Sequence, residues 1–137
     1  MFSISDVQAD IVAKLKASAV VTAFVPAVEV REARWKGTSF VYPNIRVKMG
    51  RMTPVNNLQC TIVKITFDVL CFSENPSSKE ADQIAHAVDL ALDSNAFTGT
   101  YVKFVYLGII DLIAAESEDD KTWKSTVKFE ALLQKVQ

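Results

Sequence analysis

The run from Leu58 to Ser73 constrains this chain most. Apolar side chains recur at every second position through it, the period of a pleated strand half buried against a core. Leu58, Cys60 and Ile62 stand at even positions and Val63, Ile65, Phe67, Val69 and Cys71 at odd ones, so a β-bulge near Ile62 and Val63 is expected to reconcile the two phases. A strand of this length needs long neighbours, and two later runs supply them. Thr100 to Leu112 is rich in Val, Ile, Tyr and Phe. From Trp123 to Leu133 the odd positions (Trp123, Ser125, Val127, Phe129, Ala131, Leu133) face one way and Lys124, Thr126, Lys128 and Glu130 the other. The acidic stretch Glu116 to Lys121 between these runs predicts a hairpin turn.

Shorter elements surround these strands. Val28 to Ala33 alternates, with Val28 and Val30 opposed to Glu29, Arg31 and Glu32, and Asn44 to Met49 alternates again, with Arg46 and Lys48 on a basic outer face. Arg34 to Pro43 and Gly50 to Asn57 carry turn chemistry, the first with three aromatics, Trp35, Phe40 and Tyr42. Val7, Ile11, Val12 and Leu15 recur at helical spacing from Ser5 to Ala17, and a helical turn or two from Ser18 ends at Pro26. Ser77 and Glu80 form a capping-box pattern that opens a helix with the stripe Ala81, Ile84, Ala85, Val88, Ala91 and Leu92; Asp82, Asp89 and Asp93 lie on its other, solvated side. The expected fold class is α+β: a mostly antiparallel four- to five-stranded sheet with two helices packed on one face, in one domain spanning 1–137.

Composition removes several function classes. Fifteen basic residues against sixteen acidic ones leave a formal charge of −1, with no global excess of positive charge to attract nucleic acid or an anionic membrane. No apolar run is long enough to cross a bilayer, and Met1 to Asp6 has no secretory character. Along one extended strand Cys60 and Cys71 stand roughly 36 Å apart, too far for a disulfide, and read as small buried residues of a protein made in a reducing cytoplasm. No catalytic, metal or cofactor site is expected. His86, the only histidine, has Asp82 and Asp89 beside it on a solvated helix face, which fits a surface feature better than a metal or proton-transfer site. The acidic turn lacks the spacing of a calcium loop, and neither a nucleophile elbow nor a phosphate-cradling glycine array is present.

Charge distribution is the informative feature. From Arg31 to Phe67 seven basic residues meet one acid, a local balance of +6, and from Asp68 to Asp120 eleven acids meet Lys79 and Lys103, a balance of −9. Either both sets are solvated faces, or the basic side of one subunit meets the acidic side of an identical neighbour in a head-to-tail contact that closes into a ring. The second reading makes Arg31, Arg34, Arg46, Lys48 and Arg51 candidate interface residues on one side, and Glu118, Asp119 and Asp120 on the other; Trp35 and Tyr42 join the candidates as aromatics of the Arg34 to Pro43 loop, which reads either as an interaction surface or as packing over the core edge.

The order and spacing of five segments resemble the tail-terminator, or tail-completion, proteins of long-tailed bacteriophages. These are the opening helix with Ser18 to Val25, the strand entry Phe40-Val41-Tyr42-Pro43-Asn44-Ile45-Arg46-Val47, the strand end Thr66 to Ser73, the helix Ser78 to Leu92, and the closing strand Asp119 to Leu132. Trp35 and Tyr42 depart from some members of the family. The resemblance implies a non-enzymatic virion protein, assembled in the host cytoplasm, whose subunits form a six-fold ring. Such a ring caps the tail tube protein, meets a head-completion or neck protein, and surrounds DNA only as passing cargo, with no membrane partner. A head-side stopper or other neck protein, or a stand-alone small-molecule or peptide-binding module, is the alternative.

Overall fold

In the computed structural model, which describes residues 3–34, 37, 39–56, 61–93, 96–117, 119 and 121–135, the chain begins with a helix whose start is locally encoded. Ser3 Oγ accepts from Asp6 N and the Asp6 carboxylate accepts from Ser3 N, a capping box that opens α1 (Ile4–Ala17). Val7, Ile11 and Leu15 bury its apolar stripe. Ser18 caps the short α2 (Ala19–Thr22), and after Pro26 a 3-10 turn, Ala27–Glu29, leads into β1 (Val30–Glu32). Then come β2 (Asn44–Asn56), β3 (Thr61–Ser73), α3 (Lys79–Leu92), β4 (Phe97–Thr98), β5 (Val102–Ser117) and β6 (Trp123–Lys135).

The strands form one six-stranded sheet in the order β1-β2-β3-β6-β5-β4, in which only the β1–β2 pair is parallel. The α+β class and the mostly antiparallel sheet agree with expectation, but the sheet has six strands rather than four to five: the strand expected at Val28 to Ala33 is present as β1, and the short β4, recruited by pairing with β5, is the one added. The helical turn expected after Ser18 forms as the four-residue α2, beside the two longer helices. The helices pack on one face, α1 over β1 and β2, α3 over β3, β6 and β5, with α2 between them. Phe67, Ile65 and Val69 of β3 and Phe129, Val127 and Ala131 of β6 fill the core beneath, the Phe67 and Phe129 rings stacked with centroids 5.3 Å apart. The last strand therefore faces as its alternation predicts.

Several local expectations are corrected. Gly50 to Asn56 is strand, because pairing with β3 continues to Asn56 opposite Thr61. Pro54 is tolerated there since β1 covers β2 only from Ile45 to Val47, leaving Pro54 on a free edge. The bulge lies in β2, where Gly50 and Arg51 together oppose Thr66, whereas Ile62 and Val63 continue in register with Val55 and Pro54. Leu58 and Cys60 lie outside the described residues. A Cβ on Gly50 would stand 2.7 Å from the Thr66 carbonyl oxygen, so the bulge needs a residue without one. The alternation at Val28 fails because the 3-10 turn interrupts it: Val28 is exposed and Glu29 buried. Strand β5 runs on to Ser117, beyond the expected end at Leu112. At α3 the capping box does not form: the N-cap is Ser78, without a side-chain bond, and Glu80 accepts instead from Ser73 Oγ at 2.7 Å.

Candidate assembly surfaces

The basic strand entry is an ordered ladder rather than a row of solvated charges. Arg31 on β1 pairs with Arg46 on β2, so both guanidinium groups rise on the face away from the helices. The Phe40 ring lies between them, 4.8 Å from Arg31 Cζ and 4.2 Å from Arg46 Cζ, and the other side of Arg46 faces Phe72 of β3 at 4.2 Å. Below the ladder, buried Glu29 accepts from Arg31 Nη2 at 2.6 and 3.1 Å and from Val41 N at 3.1 Å. This network pins the segment ahead of the cis Tyr42–Pro43 bond to the sheet.

The remaining predicted residues scatter around this ladder. Tyr42 is half-buried; Lys48 and Arg51 are exposed, Arg51 on the bulge. Exposed Arg34 joins Lys48 along a groove at the N-terminal end of α1. Asp119 lies in the β5–β6 turn, where its carboxylate accepts from Lys121 N at 2.8 Å; that backbone bond, ahead of the other contributions, holds its pKa below the usual carboxylate range. Trp35, Glu118 and Asp120 lie outside the described residues. The register sets Asn44, Phe72, Lys124 and Glu116 in one row, so the ladder and the acidic turn share an end of the sheet, about 14 Å apart at three strand spacings.

Folding converts the sequence asymmetry into a lateral one. The basic span builds β1, β2 and much of β3, whereas the acidic span builds α3, β5 and the turn on the opposite side of the sheet. On the uncovered face two partly exposed pairs cross strands, Lys128 to Asp68 at 3.4 Å and Lys64 to Glu130 at 3.5 Å, and pairs of this kind add little.

Sequence reasoning missed three carboxylates that organise the acidic side. Buried Asp10 of α1 accepts from the backbone N–H groups of Thr100, Tyr101 and Val102, each at 3.0 Å, and Gly99 lets it approach, since a Cβ there would clash with the carboxylate. Asp93 accepts from Ile109 N and Asp82 from Ala115 N, both at 2.9 Å, so these two clamp α3 along the β5 edge; Asp93 is half-buried there, whereas Asp82 stays exposed on the solvated side, as expected. The signal for Asp10 was a charge inside the α1 apolar stripe, between Val7 and Ile11. Asp89, between the other two on α3, has one solvent-shielded oxygen without a hydrogen-bond partner among the described residues. Desolvation, then the Asp93 charge, raises its pKa, and His86 opposes the shift.

Among the described residues no group of three His, Cys, Asp or Glu side chains could hold a metal ion, and no helix is long and apolar enough to cross a membrane. Burial pushes the Cys71 thiol up, away from reactivity.

The family model described as tail completion protein gp17 matches residues 9–134. Among solved structures, a chain of the virion of a native gene transfer agent particle superposes with a TM-score of 0.76 at 19% identity, over 98% of this chain and 99% of that one. A second solved chain, 15% identical over 98% of this chain and 99% of that one, superposes with a TM-score of 0.59. No curated protein sequence matches the chain.

Proposed function

The chain belongs to the tail completion protein gp17 family, and from that membership we propose that it closes the tail tube of a phage-like particle as a ring of identical subunits, six in number. The ring sits between the tube protein and a head-completion or neck protein, and DNA passes through it as cargo. The family is one of tail completion proteins, not of enzymes, and the work of the subunit is to present surfaces.

The observation that carries this reading is the lateral segregation of charge. A basic β1–β2 side and an acidic α3–β5 side lie at opposite limits of one sheet, so each copy offers two different surfaces that complement one another. Such a contact is heterologous, and repeating it generates a closed ring when the rotation between neighbours divides a full turn. Electrostatic complementarity of this kind orients the encounter and rejects wrong pairings more than it adds affinity.

Two measurements test the proposal. Native mass spectrometry of the purified chain should show a hexamer in equilibrium with the subunit. A reconstruction of the intact particle should place the chain at the end of the tube nearest the head. Density on the head side of the neck, separated from the tube, would instead make it a stopper, and a strict monomer with a ligand-raised melting temperature would make it a stand-alone binding module.

A further inference from the structure

Strand β5 carries apolar side chains to the surface in a way its position does not require. Its pairing with β6 shifts register between Phe104 and Tyr106, between Ile109 and Asp111 and between Ile113 and Glu116. A bulge re-aims the residues within it. Val105 and Ile110 are the bulged residues at two of the shifts, and Ile110 is 53% exposed; Leu112, the next apolar residue beyond Asp111, is 50% exposed. The edge itself is not open to strand addition at these points, because Asp93 and Asp82 of α3 already accept from Ile109 N and Ala115 N. What the edge presents is an apolar ridge flanked by the exposed carboxylates of Asp111 and Glu116.

On the far side of the sheet lies a matching depression. A groove of about 480 Å³ runs between α1 and β1, with Val12, Val28 and Val30 as its apolar lining, Ala9 and Lys16 on its α1 wall and Glu32 at the β1 end. Val28 is 71% exposed there, the most exposed large apolar residue described. The groove continues past Ser5 and Gln8 into the one that holds Arg34 and Lys48, so Lys16, Arg34 and Lys48, with Arg31 beside them, stand against Glu32 along its length.

Resting on the ring reading above, we propose that the Ile110–Leu112 ridge of one subunit seats in the α1–β1 groove of the next copy, with Asp111 and Glu116 meeting the Lys16, Arg34 and Lys48 rim. The occupant is a second copy because ridge and groove carry opposite charge and lie on opposite sides of one rigid sheet, so one subunit can use both at once. Arg46 takes no part, since its guanidinium is held between Phe40 and Phe72 within the subunit.

The test uses two full-length variants at exposed positions. Ile110→Lys with Leu112→Lys spoils the ridge and leaves the groove; Ala9→Lys with Val28→Lys spoils the groove and leaves the ridge. Both should fold, with wild-type circular dichroism, and both should be monomeric where the wild type assembles. Mixed in equal amounts they should form a 1:1 heterodimer and nothing larger, because one intact ridge and one intact groove allow a single contact. If either variant assembles like the wild type, the ring reading stands and this interface is overturned. If both are monomeric but the mixture forms no heterodimer, the ridge does not seat in the groove. A wild type that stays monomeric at its highest soluble concentration removes both readings together.

Discussion

Two carboxylates show how little a charge says until its surroundings are known. Asp10 is buried and serves three backbone N–H groups, so Asp10→Ala leaves donors without an acceptor at a cost of about 1–3 kcal/mol for each one that stays shut off from water. The expected loss is about 3 kcal/mol in urea denaturation, and a loss below about 1 kcal/mol would show that water replaces the carboxylate. Asp89 has the opposite character. Its pKa is raised, mainly by desolvation, so its charged form is the disfavoured one in the folded subunit. A carboxylate whose folded pKa exceeds its unfolded value destabilises the fold once both are ionised, and that penalty fades as pH falls through the raised pKa. Asp89→Asn should therefore melt higher than the wild type at neutral pH, with the difference shrinking on acidification. A variant that melts lower at neutral pH would mean that Asp89 has a cationic partner in solution.

At the scale of elements, the sheet's centre and its basic entry depend on different interactions. Phe129→Ala removes a ring stacked on Phe67 in the middle of β6 and should cost about 3–5 kcal/mol, a large part of a small domain's stability. An unchanged denaturation midpoint would contradict the burial of that face. Arg46→Glu breaks the ladder that holds Phe40 against β2 and β3, and places a carboxylate between two ring faces. It should cost about 1–2 kcal/mol, whereas Lys48→Glu and Arg51→Glu should stay within about 0.5 kcal/mol. Thermal melting of the three single variants checks this ordering, and equal effects would mean that the ladder adds nothing to stability. Charge reversal at Arg46 consequently reports on the subunit as well as on assembly, so Lys48 and Arg51 are the cleaner probes of contacts between subunits.

For the whole molecule, the nearly neutral total conceals a dipolar arrangement across the sheet. If that arrangement guides assembly, the rate of ring formation should fall as salt rises from low to physiological ionic strength, because charges separated by more than about 8–10 Å are then screened. The apolar ridge and groove should make dissociation far less sensitive. Light scattering after mixing at several salt concentrations separates the two effects. An association rate indifferent to salt would leave the charge segregation as a solubility feature alone.

Strong periodicity determined much of this protein without tertiary information: the helical stripe of Val7, Ile11 and Leu15, the inward face of Val127, Phe129 and Ala131, and the pairing of the last two long strands. In each, one face excludes water over many residues, so the pattern repeats often enough to be read. The opposed charge of the two spans was equally legible. Only the tertiary structure decided how they are used, because strand order is set by which edges pair rather than by residue spacing. Pairing with β3 made a strand of Gly50 to Asn56 despite its turn chemistry and moved the bulge to Gly50 and Arg51. Contacts between segments distant in the chain turned Asp82 and Asp93 into clamps on β5, Arg46 into one rung of an aromatic ladder, and Ile110 and Leu112 into a surface ridge; none of these has a local signal, since each depends on what the fold brings to the other side of the residue.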